Sequence, residues 1–160
     1  MPSTLVQQQQ FRSVIGHFAT GVAVVTANAT NGPSGMTVNA LCSLSLEPLL
    51  LIVCFDEGSR TLAAVSETRR FGVSMLSAEQ HELPATFASK APEAEKFAGV
   101  GYTLEHGVPI LEGALAWLVC DVEQLVPGGD HTIGIASVEA MDHGEGTPLL
   151  WYRGSYRPLA

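Results

Sequence analysis

The chain has 160 residues, 46% of them apolar and only 15% charged, a size and composition that fit one domain around one core and exclude a disordered chain. Sixteen acidic residues against eight Lys plus Arg give a formal charge of −8. That charge repels phosphate backbones and anionic lipid heads, so neither nucleic acid nor a membrane is expected as a partner.

The longest apolar run, residues 49–55, falls far short of the roughly 18 to 20 residues that cross a bilayer. The first ten residues have neither a basic nor an apolar signal region, so a cytoplasmic location is expected. Cys42, Cys54 and Cys120 are odd in number, widely spaced and set in apolar stretches, which fits reduced, buried thiols and not a disulfide framework.

In chain order, Thr4 and Gln7 have capping-box spacing, and Phe11, Val14, Ile15 and Phe18 repeat at helical spacing. An N-terminal amphipathic helix stopping near Gly21 is expected, with residues 1–8 as a loose extension of a single domain over 1–160. Residues 22–27 read as a β-branched strand, and the turn around Asn31-Gly32 joins it to a return strand in a hairpin. In the return strand Met36, Val38, Ala40, Cys42, Leu44 and Leu46 alternate with Thr37, Asn39, Leu41, Ser43 and Ser45, so one greasy face and one polar face are expected. After Pro48, the run 49–55 reads as a central strand covered on both faces.

Ser59 has the position of an N-cap for a short helix with Leu62, Ala63 and Val65 as its apolar stripe. Residues 71–76 read as a strand. Ser77 and Gln80 repeat the capping-box spacing for a helix toward Ala88 that Pro84 kinks or splits. Residues 92–102 read as loop and residues 107–109 as a turn. Strands follow at 114–126, at 132–140 after the Pro127-Gly128-Gly129 break, and at 149–153. About seven strands and three short helices, with no one-for-one alternation, predict a mainly β fold with flanking α: a closed antiparallel barrel and not a doubly wound sheet.

The five histidines never fall into paired ligand spacing and no two cysteines lie at finger distance, so no metal site is expected. A G-x-S-x-G elbow is missing, no cysteine has a local histidine to activate it, and Gly99-Val100-Gly101 lacks the third glycine of a dinucleotide loop. Three short polar segments remain. The strand over residues 35–45 offers a polar face with accessible backbone on which a flat ring can rest, although a half-exposed barrel strand shows the same alternation. Ser59-Arg60-Thr61 at a helix start suits a phosphate, although capping alone explains the serine. Gly129-Asp130-His131 reads equally well as a turn.

Their order carries more than each alone: Gly35-Met36-Thr37-Val38-Asn39-Ala40, then Ser43-Leu44-Ser45 and Pro48, Ser59-Arg60-Thr61, Gly129-Asp130-His131 and Tyr152-Arg153-Gly154. In these residues, and over about 11–156, the chain resembles the short-chain flavin reductase family. The resemblance implies an FMN-binding antiparallel split β-barrel and a homodimer. It also implies an oxidoreductase that passes hydride from NADH or NADPH to FMN or FAD and supplies a partner monooxygenase with reduced flavin. By the same resemblance Met36, Thr37, Val38, Asn39, Ala40, Cys42 and Ser43 line the flavin ring, while Ser59, Arg60 and Thr61 hold its phosphate. Lys96 and Phe97 lie near its edge, and Asp130, His131, Tyr152 and Arg153 meet the nicotinamide nucleotide. Many relatives have two prolines where this chain has Pro48-Leu49, and other small or aromatic residues where it has Cys42. The remaining readings are a pyridoxamine-phosphate-oxidase-like oxidase, a non-catalytic flavin-binding module and a structural barrel subunit.

Overall fold

A computed structural model describes residues 2–160. Thr4 Oγ1 accepts from the Gln7 N–H at 3.2 Å and Gln7 Oε1 accepts from the Thr4 N–H at 2.8 Å, so the capping box starts helix α1, Leu5–Ile15. The helix takes in residues 5–8, buries none of its side chains and ends at Gly16, ahead of the expected stop at Gly21. Gly21 lies instead in a two-residue strand, β1 (Thr20–Gly21).

The expected hairpin forms from β2 (Ala23–Ala29) and β3 (Gly32–Val38), with Ala29 paired to Gly32 across residues 30–31. Gly32 leaves the turn at φ 98°, a conformation that favours glycine. The expected long return strand is not continuous. It breaks after Val38, and β4 (Leu41–Leu46) pairs not with β2 but with β5 (Leu49–Asp56). The alternation also changes phase at the break. Val38 and Leu41 both pack on the core, while Ala40, Cys42, Leu44 and Leu46 are exposed.

Helix α2 (Arg60–Thr68) is capped by Ser59 Oγ, which accepts from the Leu62 N–H at 3.0 Å. Its buried face is Thr61, Leu62, Ala64 and Val65, so Ala64 replaces Ala63 in the expected stripe. After β6 (Arg70–Met75), the predicted helix toward Ala88 is split into a 3₁₀ turn (Ala78–Gln80) and α3 (Leu83–Ala88), with Pro84 in the first turn of α3. A further helix, α4 (Glu93–Phe97), stands where loop was expected.

The chain continues through the hairpin β7 (Tyr102–Glu105) and β8 (Val108–Leu111), then the long pair β9 (Ala116–Gly128) and β10 (His131–His143). It ends in β11 (Leu149–Tyr152) and β12 (Ser155–Pro158). Twelve strands and four helices are thus counted among the described residues, against the expected seven and three. The added strands β1, β7, β8 and β12 have two to four residues, too few to show a period.

Seven strands form one antiparallel sheet in the order β3-β2-β6-β9-β10-β5-β4. Laid flat, six spacings of ~4.8 Å would put its edges ~29 Å apart. Yet the edges β3 and β4 are joined by residues 39–40 alone, a link that reaches at most ~11 Å. The sheet therefore rolls into the expected mainly β, antiparallel split barrel. Phe55 and Phe71 meet edge to face inside it, 5.6 Å apart, with Val25, Val53, Val65 and Val73 around them. β2 is buried on both sides, because Val24, with Val22 just before the strand, packs outward on a second core with Leu76, Phe87, Phe97 and Leu149. β5 was expected to be covered on both faces. Leu51, Val53 and Phe55 are buried, but Leu50, Ile52 and Cys54 on its other face remain half-exposed in the single chain.

Candidate functional site

A cleft of about 450 Å³ opens where the edge strand β3, the first turn of α2 and the α3–α4 segment meet. Met36 and Phe87 give it an apolar wall, Thr37 a hydroxyl, and Ser59, Arg60 and Thr61 its polar end, with Lys90 and Lys96 on the α3–α4 side. The Leu62 N–H is taken by Ser59 Oγ, but the Arg60 and Thr61 N–H groups have no partner within the helix and carry the positive end of its dipole, so this end of the cleft is suited to an anion. The Thr61 side chain is not free for one. It is buried, with Oγ1 2.9 Å from Ser34 Oγ, and so fastens α2 to β3.

The sequence did not point to Glu93, which joins the cleft's charges. Its Oε1 accepts from Arg60 Nε at 2.9 Å and from Lys96 Nζ at 3.3 Å, and its Oε2 accepts from the Gly35 N–H at 2.9 Å. Lys96, 5% exposed, also donates to the Gly35 and Phe87 carbonyls, and Arg60 Nη2 donates to the Ala91 carbonyl. The one visible signal was the three-residue spacing of Glu93 and Lys96, which neighbours on a helix share. Asp56, at the end of β5, is a second carboxylate on the wall that sequence reasoning missed.

The remaining expected residues separate into groups. Met36 and Thr37 line the cleft; the Val38 side chain is in the core and leaves only its backbone available. Thr37 and Asn39 continue into a cavity of about 210 Å³ with Val22, Ala88, Trp151 and Tyr156, and Asn39 borders a third of about 290 Å³. Burial pushes the Tyr156 phenol upward, which keeps it protonated at neutral pH. Trp151 and Tyr156 were missed because nothing in the sequence ties the C-terminal strands to residues 37–39. Ala40, Cys42 and Ser43 are exposed and border none of these three cavities. Phe97 sits behind the wall, edge to face on Phe87 at 5.1 Å.

Asp130 and His131 make the β9–β10 turn beside the cleft mouth, since His131 pairs with Asp56 across the sheet and the Asp130 carbonyl accepts from the Glu57 N–H at 3.1 Å. His131 Nδ1 is 2.7 Å from Asp130 Oδ1, and that hydrogen bond, with the imidazole's charge, holds the Asp130 carboxyl below its ordinary value. Tyr152 and Arg153 turn the β11–β12 hairpin against the end of α1. The Arg153 N–H donates to the Gly16 carbonyl at 2.9 Å, and Tyr152 meets His17 edge to face. The structure thus brings Met36, Thr37, Ser59, Arg60, Thr61 and Lys96 together and leaves Tyr152 and Arg153 outside the cleft.

An antiparallel barrel with a cation-lined cleft against its edge strand has the shape and charge to take a flat, phosphorylated molecule. A family model described as a flavin reductase like domain matches residues 15–160. The reductase component of 4-nitrophenol 4-monooxygenase/4-nitrocatechol 2-monooxygenase from Rhodococcus opacus is 40% identical over 94% of this chain and 80% of its own length. An NADH-dependent flavin reductase from Rhodococcus sp. is 37% identical over 92% of this chain and 84% of its own. The solved structure of Streptomyces globisporus C-1027 NADH:FAD oxidoreductase SgcE6, in complex with NAD and FAD fragments, superposes with a TM-score of 0.91 at 32% identity, over 100% of this chain and 97% of that one. The chain belongs to the flavin reductase family, and it is an oxidoreductase.

Proposed function

We propose that this chain binds FMN or FAD with the first phosphate at the α2 end of the cleft and the ring along Met36, Thr37, Val38 and Asn39. It reduces the flavin with NADH and releases the product to a monooxygenase component. One observation carries the reading: the paired cations and helix N-terminus close one end of the cleft while Met36, Phe87 and the β3 edge wall the rest. That donor set fits a phosphate monoester beside a planar apolar ring.

When bound, the flavin supplies the hydride-accepting ring and the nicotinamide the hydride, so no nucleophile or metal is asked of the protein. The chain's part is placement. Arg60, Lys90 and the Arg60 and Thr61 amides anchor the phosphate while Lys96, its N–H groups already engaged, adds charge from behind; main-chain groups near Val38 and Asn39 reach the ring edge, and His131, braced by Asp130, orients the nicotinamide nucleotide. NADH is the proposed donor because the Rhodococcus and Streptomyces relatives are named for it.

A homodimer is part of the proposal. The outer face of β5 and β10 presents half-exposed Leu50, Ile52, Ile133 and Ile135, and α1 exposes Phe11, Val14 and Ile15, apolar surface that a second copy would cover. A cytoplasmic location is supported by the three free thiols.

The test is steady-state oxidation of NADH and NADPH, each with FMN, FAD and riboflavin. Rapid NADH oxidation with added flavin, by protein that loses its colour on dialysis, is expected. Flavin binding without NADH oxidation would mark a binding module, and turnover of pyridoxine phosphate instead an oxidase.

A further inference from the structure

We propose that Glu93 sets how tightly the chain holds the phosphate end of a flavin, cancelling part of that end's positive charge so that the flavin exchanges freely. The inference rests on the reading that this end takes the flavin phosphate.

The carboxylate is fixed. Gly35 N–H at 2.9 Å and Lys96 Nζ at 3.3 Å hold it inside the cleft, and its side chain is only 17% exposed. It lies against Arg60, which donates to it through Nε at 2.9 Å and to the Ala91 carbonyl through Nη2, leaving Nη1 for a ligand, and against Lys96, whose N–H groups are engaged and which acts through its charge. Arg60, Lys90 and Lys96 carry three positive charges against two negative ones on Glu93 and Asp56, which leaves one net positive charge in the cleft. Lys90 lines the cleft but makes no ion pair among the described residues. An arriving phosphate carries about −1.5 to −2 at pH 7 and must share Arg60 with a carboxylate that cannot withdraw. The carboxylate thus offsets part of the attraction that the cations exert on the phosphate.

The opposite assignment, in which Glu93 merely orients Arg60, reverses the sign of the mutant's effect. Glu93→Gln keeps an oxygen to accept from Gly35 and removes the charge. Riboflavin provides the control, because it offers the same ring without the phosphate.

The experiment titrates wild-type, Glu93→Gln and Arg60→Ala proteins with FMN and with riboflavin, following quenching of flavin fluorescence without NADH. Glu93→Gln is expected to bind FMN at least tenfold more tightly, to hold riboflavin within twofold of wild type, and to retain yellow colour through dialysis. Glu93→Ala, which also removes the charge, reads in the same direction if the glutamine variant folds poorly. An FMN affinity that is unchanged or weakened in these variants overturns the proposal. Should Arg60→Ala leave the ratio of FMN to riboflavin affinity as in wild type, the phosphate does not lie at Arg60, and the underlying site reading falls with it.

Discussion

Ser34 and Thr61 are 27 residues apart in sequence, yet their hydroxyl oxygens lie 2.9 Å apart in the interior and tie the edge strand β3 to the first turn of α2. Both side chains are almost fully buried, so neither has water as a substitute partner. Thr61→Val keeps the shape and strands the Ser34 hydroxyl. A loss of about 1–2 kcal/mol is expected in denaturant unfolding, with a several-fold rise in KM for FMN as the phosphate end loses its anchor. Unchanged stability would show that the bond contributes nothing net.

His131 stands at the mouth of the cleft with its Nδ1 engaged by Asp130, an arrangement that fixes the ring's orientation and leaves Nε2 without a hydrogen-bond partner among the described residues. An orienting role predicts that His131→Ala raises the apparent KM for NADH far more than it lowers kcat. A fall in kcat at unchanged KM would assign it to the chemical step instead.

Arg70 and Asp121 face each other on β6 and β9 and form a two-pronged pair, at 2.6 and 2.8 Å. The hydrogen bond from Arg70, backed by its charge, holds Asp121 below its ordinary 3.8. Both side chains are about a third exposed, so solvent screening limits the pair to about 0.5–1 kcal/mol. A depressed folded-state value means the stabilisation is complete above the unfolded value of 3.8 and disappears as pH falls through the folded one. Asp121→Asn should therefore melt below wild type at neutral pH, and the two melting temperatures should converge as pH falls below 3.8 through the depressed folded-state value. A gap of constant size across that range would rule out the carboxylate's charge as its source.

Much of the barrel was legible because its strands are long and apolar enough to show a period. The β2–β3 hairpin, β5, β6, the long pair β9–β10 and the Ser59-capped helix all stood where residue patterns placed them. The break at residues 39–40 was not legible, since the apolar alternation from Met36 to Leu46 runs through it unbroken while the backbone changes phase there and passes from one sheet edge to the other. Within the cleft, Ser59-Arg60-Thr61 could be found by its place in the order of segments along the chain, and Lys96 only through the family resemblance. Glu93 could not, because its meaning lies in Arg60, 33 residues away, and in a backbone amide of β3.

The contacts of Gly35 reach beyond the cleft. β3 is an edge strand, and at its middle residue the Glu93 carboxylate takes the amide hydrogen while the Lys96 ammonium covers the carbonyl. The two side chains thereby imitate one rung of a neighbouring strand. An incoming chain seeking to extend the sheet finds that rung already filled, a safeguard against edge-to-edge aggregation supplied by the same pair that tempers ligand affinity.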